Sequence, residues 1–249
     1  MKTLLLIFQL IAVAAYAQKG DTVAIGPGDL QLKNLNYGSH MYLVYSKKSK
    51  TSPAERSTLV KINVERKNSV IVVAQQWDMD TIVHKAETQF DSRNFTTLTH
   101  DTYWKRLGYT AKFDFVNKRV YFEGRLADSL KAKATKEMND SFSKYNLNWH
   151  SDLMIFPLLP FKENRVFKIN FYDPGFGKPT EVFYRVEGSE QLSSAKGKMD
   201  CWVLVIRHTK PQAAIQKFWI SKASNEVLKE EDEFGGRYRY KLKLAVAEN

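Results

Sequence analysis

Period-two alternation of apolar and polar residues, renewed segment after segment, constrains this chain more than any other feature. It is clearest from Asp200 to Lys229. Trp202, Leu204 and Ile206 share one side of a first strand. In a second, Gln216, Phe218 and Ile220 alternate with Ile215, Lys217 and Trp219. Successive strand side chains point to opposite faces, so this pattern builds a two-faced antiparallel sheet. Lys210-Pro211-Gln212 separates the two strands, because proline has no N–H for a ladder. Ser224-Asn225 turns the chain into Val227-Leu228. Both faces are heavily apolar, so one is expected to meet a core and the other to be covered or to line a cavity.

The same period recurs along the chain. Val60, Ile62 and Val64 alternate with Lys61, Asn63 and Glu65, and Val70–Val73 follows as the second arm of a hairpin. Phe113 and Phe115 face Val120 and Phe122 across an Asn117-Lys118 turn. Phe167, Ile169 and Phe171 form a further strand, and Glu181 to Glu187 another, ended by a Gly188-Ser189 turn. Near the end, Tyr238, Tyr240, Leu242 and Leu244 alternate with Arg237, Arg239, Lys241 and Lys243; the basic set reads as the wet face of a sheet.

Between residues 128 and 161 the period changes. Leu130, Ala134, Met138, Phe142, Tyr145 and Trp149 are spaced by fours and one three, which is one face of a helix, with Asp128 as its N-cap and Asn139-Asp140-Ser141 interrupting it. Leu153 to Phe161 is an apolar plug; Pro157 and Pro160 hold it to a short helix capped by Ser151 or Asp152. The expected fold is mainly β, an antiparallel sheet curled into a barrel or half-barrel, with one or two short helices inserted around 128–161. No repeat or linker divides the chain, so residues 18–249 read as a single β-rich domain, with 18–35 as a leader.

The N-terminus reads as a secretory signal peptide over residues 1–17: Lys2, an apolar run from Leu4 to Ala15, and the small-x-small site Ala15-Tyr16-Ala17. This implies export to the periplasm or the medium. No later stretch reaches the roughly 20 apolar residues of a membrane span. Cys201 is the single cysteine, so no disulfide framework is expected, and it reads as a small buried hydrophobe. The net charge of +11 suggests acidic partners such as anionic head groups; export argues against nucleic acid.

Chemical motifs are missing from the sequence. The five histidines are scattered, without the spacing of a metal site. Asp78, Asp80 and His84 read as a solvated hairpin turn. No phosphate-binding loop and no nucleophile elbow occurs. No cofactor, no metal and no catalysis are therefore expected. What remains is aromatic excess, which fills a core or lines a pocket. Trp149, Phe156, Trp202, Phe218 and Trp219 are the candidate pocket-lining residues.

Several strands resemble an exported bacterial family, domain-of-unknown-function family 3108. The matching residues are Cys201-Trp202-Val203, Phe218-Trp219-Ile220-Ser221 and Val227-Leu228-Lys229. Asp152-Leu153 before Pro157, the Phe167–Phe171 strand, and Gly188 and Glu190 fit the same outline. The resemblance implies a barrel or half-barrel similar to the periplasmic carriers of lipoproteins, and it transfers no catalytic residue. The expected function is an exported envelope protein that binds an apolar or lipidic ligand in a concave β surface closed by the plug. The alternative is a structural or protein-interaction module of the envelope without a pocket. A hydrolase, a third reading, would need several titratable residues to converge in a cleft.

Overall fold

The structure, a computed structural model, describes residues 21–194, 197–208 and 213–245. The expected signal peptide and the Lys210-Pro211-Gln212 break lie outside the described residues. The strands are β1 (Thr22–Ala24), β2 (Gly38–Lys47), β3 (Ala54–Lys67), β4 (Val70–Asp78), β5 (Ile82–Asp91), β6 (Thr97–Trp104), β7 (Tyr109–Asp114) and β8 (Arg119–Gly124). After helix α1 (Asp128–Ser141) come β9 (Leu147–Asn148), helix α2 (Asp152–Ile155), β10 (Val166–Tyr172), β11 (Thr180–Ser194), β12 (Gly197–His208), β13 (Ala214–Ser221), β14 (Val227–Phe234) and β15 (Arg237–Leu244).

All belong to one sheet in the order β1-β10-β11-β12-β13-β14-β15-β2-β3-β4-β5-β6-β7-β8, with β9 beside β10. Pairing is antiparallel except for the short β1 and β9, which run parallel to β10. The sheet is open: β1 and β8 are its ends and do not pair with each other. The mainly β class expected from the alternation is the fold observed.

One face of this sheet holds the main core. Tyr42, Val60, Ile62, Val64, Ile71 and Val73 come from β2–β4, and Phe167, Tyr184, Leu204 and Phe218 from β10–β13. The apolar plug fills the space between them. It runs as a tight turn at Trp149–Ser151, then α2, then a second tight turn at Phe156–Leu158. Ile155, Phe156 and Leu158 are fully buried. Each such side chain contributes roughly 1.5–3 kcal/mol through burial. The Gln75 amide donates to the His150 carbonyl at the head of the plug, and the Leu158 carbonyl accepts from Gln31 N–H at 2.8 Å. The expected leader is partly built in: Thr22–Ala24 joins β10, and Ile25, Leu30 and Leu35 are buried.

Three local expectations are corrected. Asp128 is the first helical residue and not the N-cap, a position held by Ala127 without a side-chain bond; the Asp128 carboxylate instead accepts from Lys131 at 3.0 Å. The helix stops at Ser141, at the expected interruption, and of its apolar face only Ala134 and Met138 are buried, against Ala111, Phe113 and Tyr172. Gly188-Ser189 is not a turn. β11 continues through it, and its register against β12 shifts between Val186 and Ser189; Gly188 takes the bulge with φ of 101°, a value that suits glycine. Finally, Lys241 and Lys243 of β15 are not on a wet face, although Arg237 at the start of the strand is exposed. Lys241 is 7% exposed, because the plug covers their side of the sheet.

Candidate ligand-binding surface

The plug packs against one side of the sheet, and a large concavity lies on the opposite face. Two rows of directly paired residues cross from β2 to β8. One is Met41, Lys61, Gln76, Lys85, Tyr103, Thr110 and Glu123; the other is Ser39, Asn63, Ala74, Glu87, Asp101, Lys112 and Tyr121. Together they floor a trough of about 1300 Å³. Seven strands at about 4.8 Å spacing make it roughly 29 Å long. The concavity comes from sheet twist, accumulated over these strands.

The trough is charge-balanced. Lys61, Lys85 and Lys112 stand against Glu87, Asp101, Asp114 and Glu123, one negative charge in excess on a chain of net +11. Lys61 reaches Asp78 at 3.3 Å and Lys112 reaches Asp101 at 3.9 Å. Glu87 and Asp101 are direct cross-strand partners, a like-charge arrangement that disfavours ionising both. Partial burial raises the Asp101 carboxyl above its usual range, against the pull of Lys112 and with help from Glu87 and Asp114. Its Oδ1 has no hydrogen-bond partner. Beside the trough, on the same face, runs a half-buried apolar band: Leu244 opposite Met41, Leu242 opposite Leu43, and Leu43 opposite Leu59.

The candidate aromatic residues are divided between the two faces. Phe156 and Phe218 meet in the core with ring centres 4.7 Å apart. Trp149 packs on Phe171 at 5.2 Å, and Trp202 stacks on Phe161 at 5.8 Å. Trp219 points to the other face, where it joins Cys201, Val203 and Val205 and donates its indole N–H to Glu190 at 2.7 Å. Alternation puts Phe218 and Trp219 on opposite sides, so the five residues do not share a single site.

Two buried polar clusters flank the plug, and neither was legible in the sequence. In the first, His84 Nδ1 donates to the Tyr103 carbonyl at 2.8 Å. Its Nε2 is therefore the acceptor for His150 Nε2–H at 2.6 Å. His150 Nδ1 lies 3.3 Å from Asp173, a contact that attracts only when one of those two groups holds a further proton. His100 lies beside them, its ring centre 5.1 Å from that of His150, with Nδ1 bonded to Thr88 at 2.9 Å. Burial, reinforced by His150, pushes His84 down to about 3, and burial holds His100 well below the usual histidine range. His84 is thus a core residue and not part of a solvated turn. Among the described residues, no group of three or more histidine, cysteine or acidic side chains is disposed to hold a metal ion.

The second cluster is ionic. Lys241 lies 2.6 Å from Glu230 and 3.8 Å from Asp152 of the plug, while Arg239 donates to Asp232 at 2.6 Å. Three carboxylates face two cations, which leaves one negative charge in excess. Burial raises the Glu230 carboxyl well above the carboxylate range against the pull of Lys241. These residues sit on adjacent strands, so their pairing was invisible until the register was known.

Comparison with known proteins places the chain within one family. The family described as "Protein of unknown function (DUF3108)" matches residues 42–243. None of the curated proteins matches the sequence. Three solved structures share the outline. The hypothetical lipoprotein YmcC of Escherichia coli (K12) is 13% identical, over 86% of this chain and 89% of that one, with a TM-score of 0.35. The β-barrel-like protein of domain of unknown function DUF1849 from Brucella abortus is 8% identical, over 84% and 97%, with a TM-score of 0.43. A putative outer membrane lipoprotein-sorting protein domain from Vibrio parahaemolyticus is 12% identical, over 84% and 85%, with a TM-score of 0.30. Likeness at this level carries no argument about function.

Proposed function

The chain belongs to the DUF3108 family, and from that premise we propose that it is an exported, non-catalytic binding protein of the cell envelope whose ligand lies along the trough. One observation carries this reading: the plug seals the apolar face, while the opposite face of seven strands is open and concave over about 1300 Å³. The lining points to an amphiphilic ligand. Its apolar part would lie on Met41, Leu43, Leu59, Leu242 and Leu244, and its polar part on the floor of lysines, carboxylates, Tyr103 and Tyr121. The near-balance of charge on that floor favours a zwitterionic or neutral head over a strongly anionic one. A non-catalytic role fits the placement of the two titratable clusters, which face the plug and not the trough.

A second reading, a protein-interaction module of the envelope, draws support from the free edge at β8, where Tyr121 is 47% exposed and the outer backbone groups have no strand partner. Mass spectrometry of an organic extract separates the two. Protein purified mildly from its host envelope is expected to carry one amphiphile per chain. Ala74→Trp and Thr110→Trp, which fill the trough without touching the core, should lose it. A clean extract from the unaltered protein, repeated after incubation with envelope lipids, would remove the ligand-carrier reading and leave the interaction module.

A further inference from the structure

A second, smaller cavity lies where the β6–β8 end of the sheet meets the end of α1 and the end of β10. It has a volume of about 310 Å³, at the lower end of the range for ligand pockets, about 300–1,000 Å³. Its walls come from the start of β6 (Leu98), the β7–β8 turn (Phe115, Val116), the end of α1 (Phe142), and Leu147 and Tyr172. Three of these are aromatic and pack edge to face: Phe115 lies 6.2 Å from Phe142 and 6.0 Å from Tyr172. Val116 and Phe142 are 65% and 38% exposed, so apolar surface continues out to the mouth.

The charged residues lining this cavity are both cations, Lys118 and Lys144. Lys118 rests over the Phe142 ring at 5.0 Å. Lys144 stands 4.0 Å from Glu181, whose close partner is Lys168 at 2.9 Å. Neither lysine is committed to a tight ion pair. Deeper in, the Tyr172 hydroxyl is buried and has no hydrogen-bond partner, although the residue is 98% covered (2% exposed). Asn146 Oδ1 is likewise unpartnered; its amide nitrogen is held by the Ser141 carbonyl at 2.6 Å. A buried hydroxyl left unpaired is costly, and a ligand acceptor would satisfy it.

We propose that this cavity is a binding site for a single-chain amphiphile with an anionic head, distinct from the trough. The alkyl chain would lie among Leu98, Phe115, Phe142 and Leu147. The head would take the charge of Lys118 and Lys144 and accept a hydrogen bond from Tyr172. The site contrasts with the trough, whose floor is charge-balanced; here the lining is positive and the walls are apolar. A carboxylate and a phosphate share the required chemistry.

Titration calorimetry on the whole protein tests the proposal with three probes: decanoate, decyl phosphate and uncharged decanol. Decanoate or decyl phosphate should bind at one site per chain, and the tighter of the two identifies the head. Decanol should bind about tenfold or more weakly, reflecting loss of the charge-assisted bonds. The Lys118→Ala/Lys144→Ala double variant should lose the preference for the anions. Tyr172→Phe should weaken anion binding while leaving the thermal midpoint of the free protein unchanged or higher, because the hydroxyl has no partner to lose. Lys67→Ala, an exposed lysine outside both cavities, should leave all three affinities unchanged. Absence of binding by both anions, equal affinity for decanol, or binding indifferent to both pocket variants would overturn the assignment. Sensitivity to Lys85→Ala alone would move the site to the trough.

Discussion

The histidine cluster and the ionic cluster sit on the same face of one sheet, and both grip the plug, one through His150 and the other through Asp152. They solve burial in opposite ways. The histidine cluster stays neutral at its core: His84 and His100 are held below their ordinary range. The ionic cluster keeps its charges and balances them, with one proton retained on Glu230. The difference teaches that one plug is secured from its two sides by groups of opposite pH response. An imidazole buried neutral loses stability as pH falls. A carboxyl buried protonated loses it as pH rises.

The largest test of this comparison is Lys241→Met. It leaves Glu230, Asp152 and Asp232 with Arg239 alone, and removing one partner of a buried ion pair costs about 3–5 kcal/mol. Urea unfolding at neutral pH should show that loss; a change under about 1 kcal/mol would mean that the lysine is not holding buried charge. Next in size is the acid limb. His84 and His100 bind protons in the unfolded chain below about 6.5 but not when folded. Stability from each is complete above that value and falls by up to about 1.4 kcal/mol over the unit from pH 6.5 to 5.5. The His84→Gln/His100→Gln variant should flatten this slope, and an unchanged slope would place the acid sensitivity elsewhere.

The alkaline limb is smaller, because one group carries it. Glu230 holds its proton in the fold above the ordinary glutamate value of 4.5. Its contribution is complete below that pH and is lost as pH rises through the raised folded value. Glu230→Gln should therefore gain relative to the unaltered protein as pH increases, which thermal melts between pH 5 and 9 would show. The smallest expected effect is at Asp173, whose side chain is 36% exposed. Asp173→Asn should cost about 1 kcal/mol or less in urea unfolding, and a larger loss would mean that this contact holds the plug more firmly than its exposure suggests.

How far the sequence foretold these features depends on the range over which each is encoded. The alternation in 200–229 sets Phe218 and Trp219 on opposite faces, since side-chain direction is set residue by residue, whereas the shared face of Trp202 and Phe218 follows only from the register. The same alternation marked Arg239 and Lys241 as one face of a strand but was silent on which side the plug would cover. Reading them as solvated failed for that reason: their acidic partners lie on β14, and only the Glu230–Lys241 register joins them. The histidines at 84, 100 and 150 come together through two strands and a turn that no local spacing connects. The trough was hidden in plain alternation. Lys61, Asn63 and Lys85 look like any wet face, and the concavity arises from twist summed over seven strands.

The position of β15 has a consequence for how the chain becomes a protein at all. It is inserted between β14 and β2, so the final described strand joins elements from opposite ends of the polypeptide; Leu244 sits directly across from Met41. Such closure must pay a large loop entropy before it is rewarded, which slows folding. Until that strand is available, the β2–β8 and β10–β14 portions are separate ribbons with raw edges facing each other. A nascent chain of this kind remains unlatched until β15 has been synthesised.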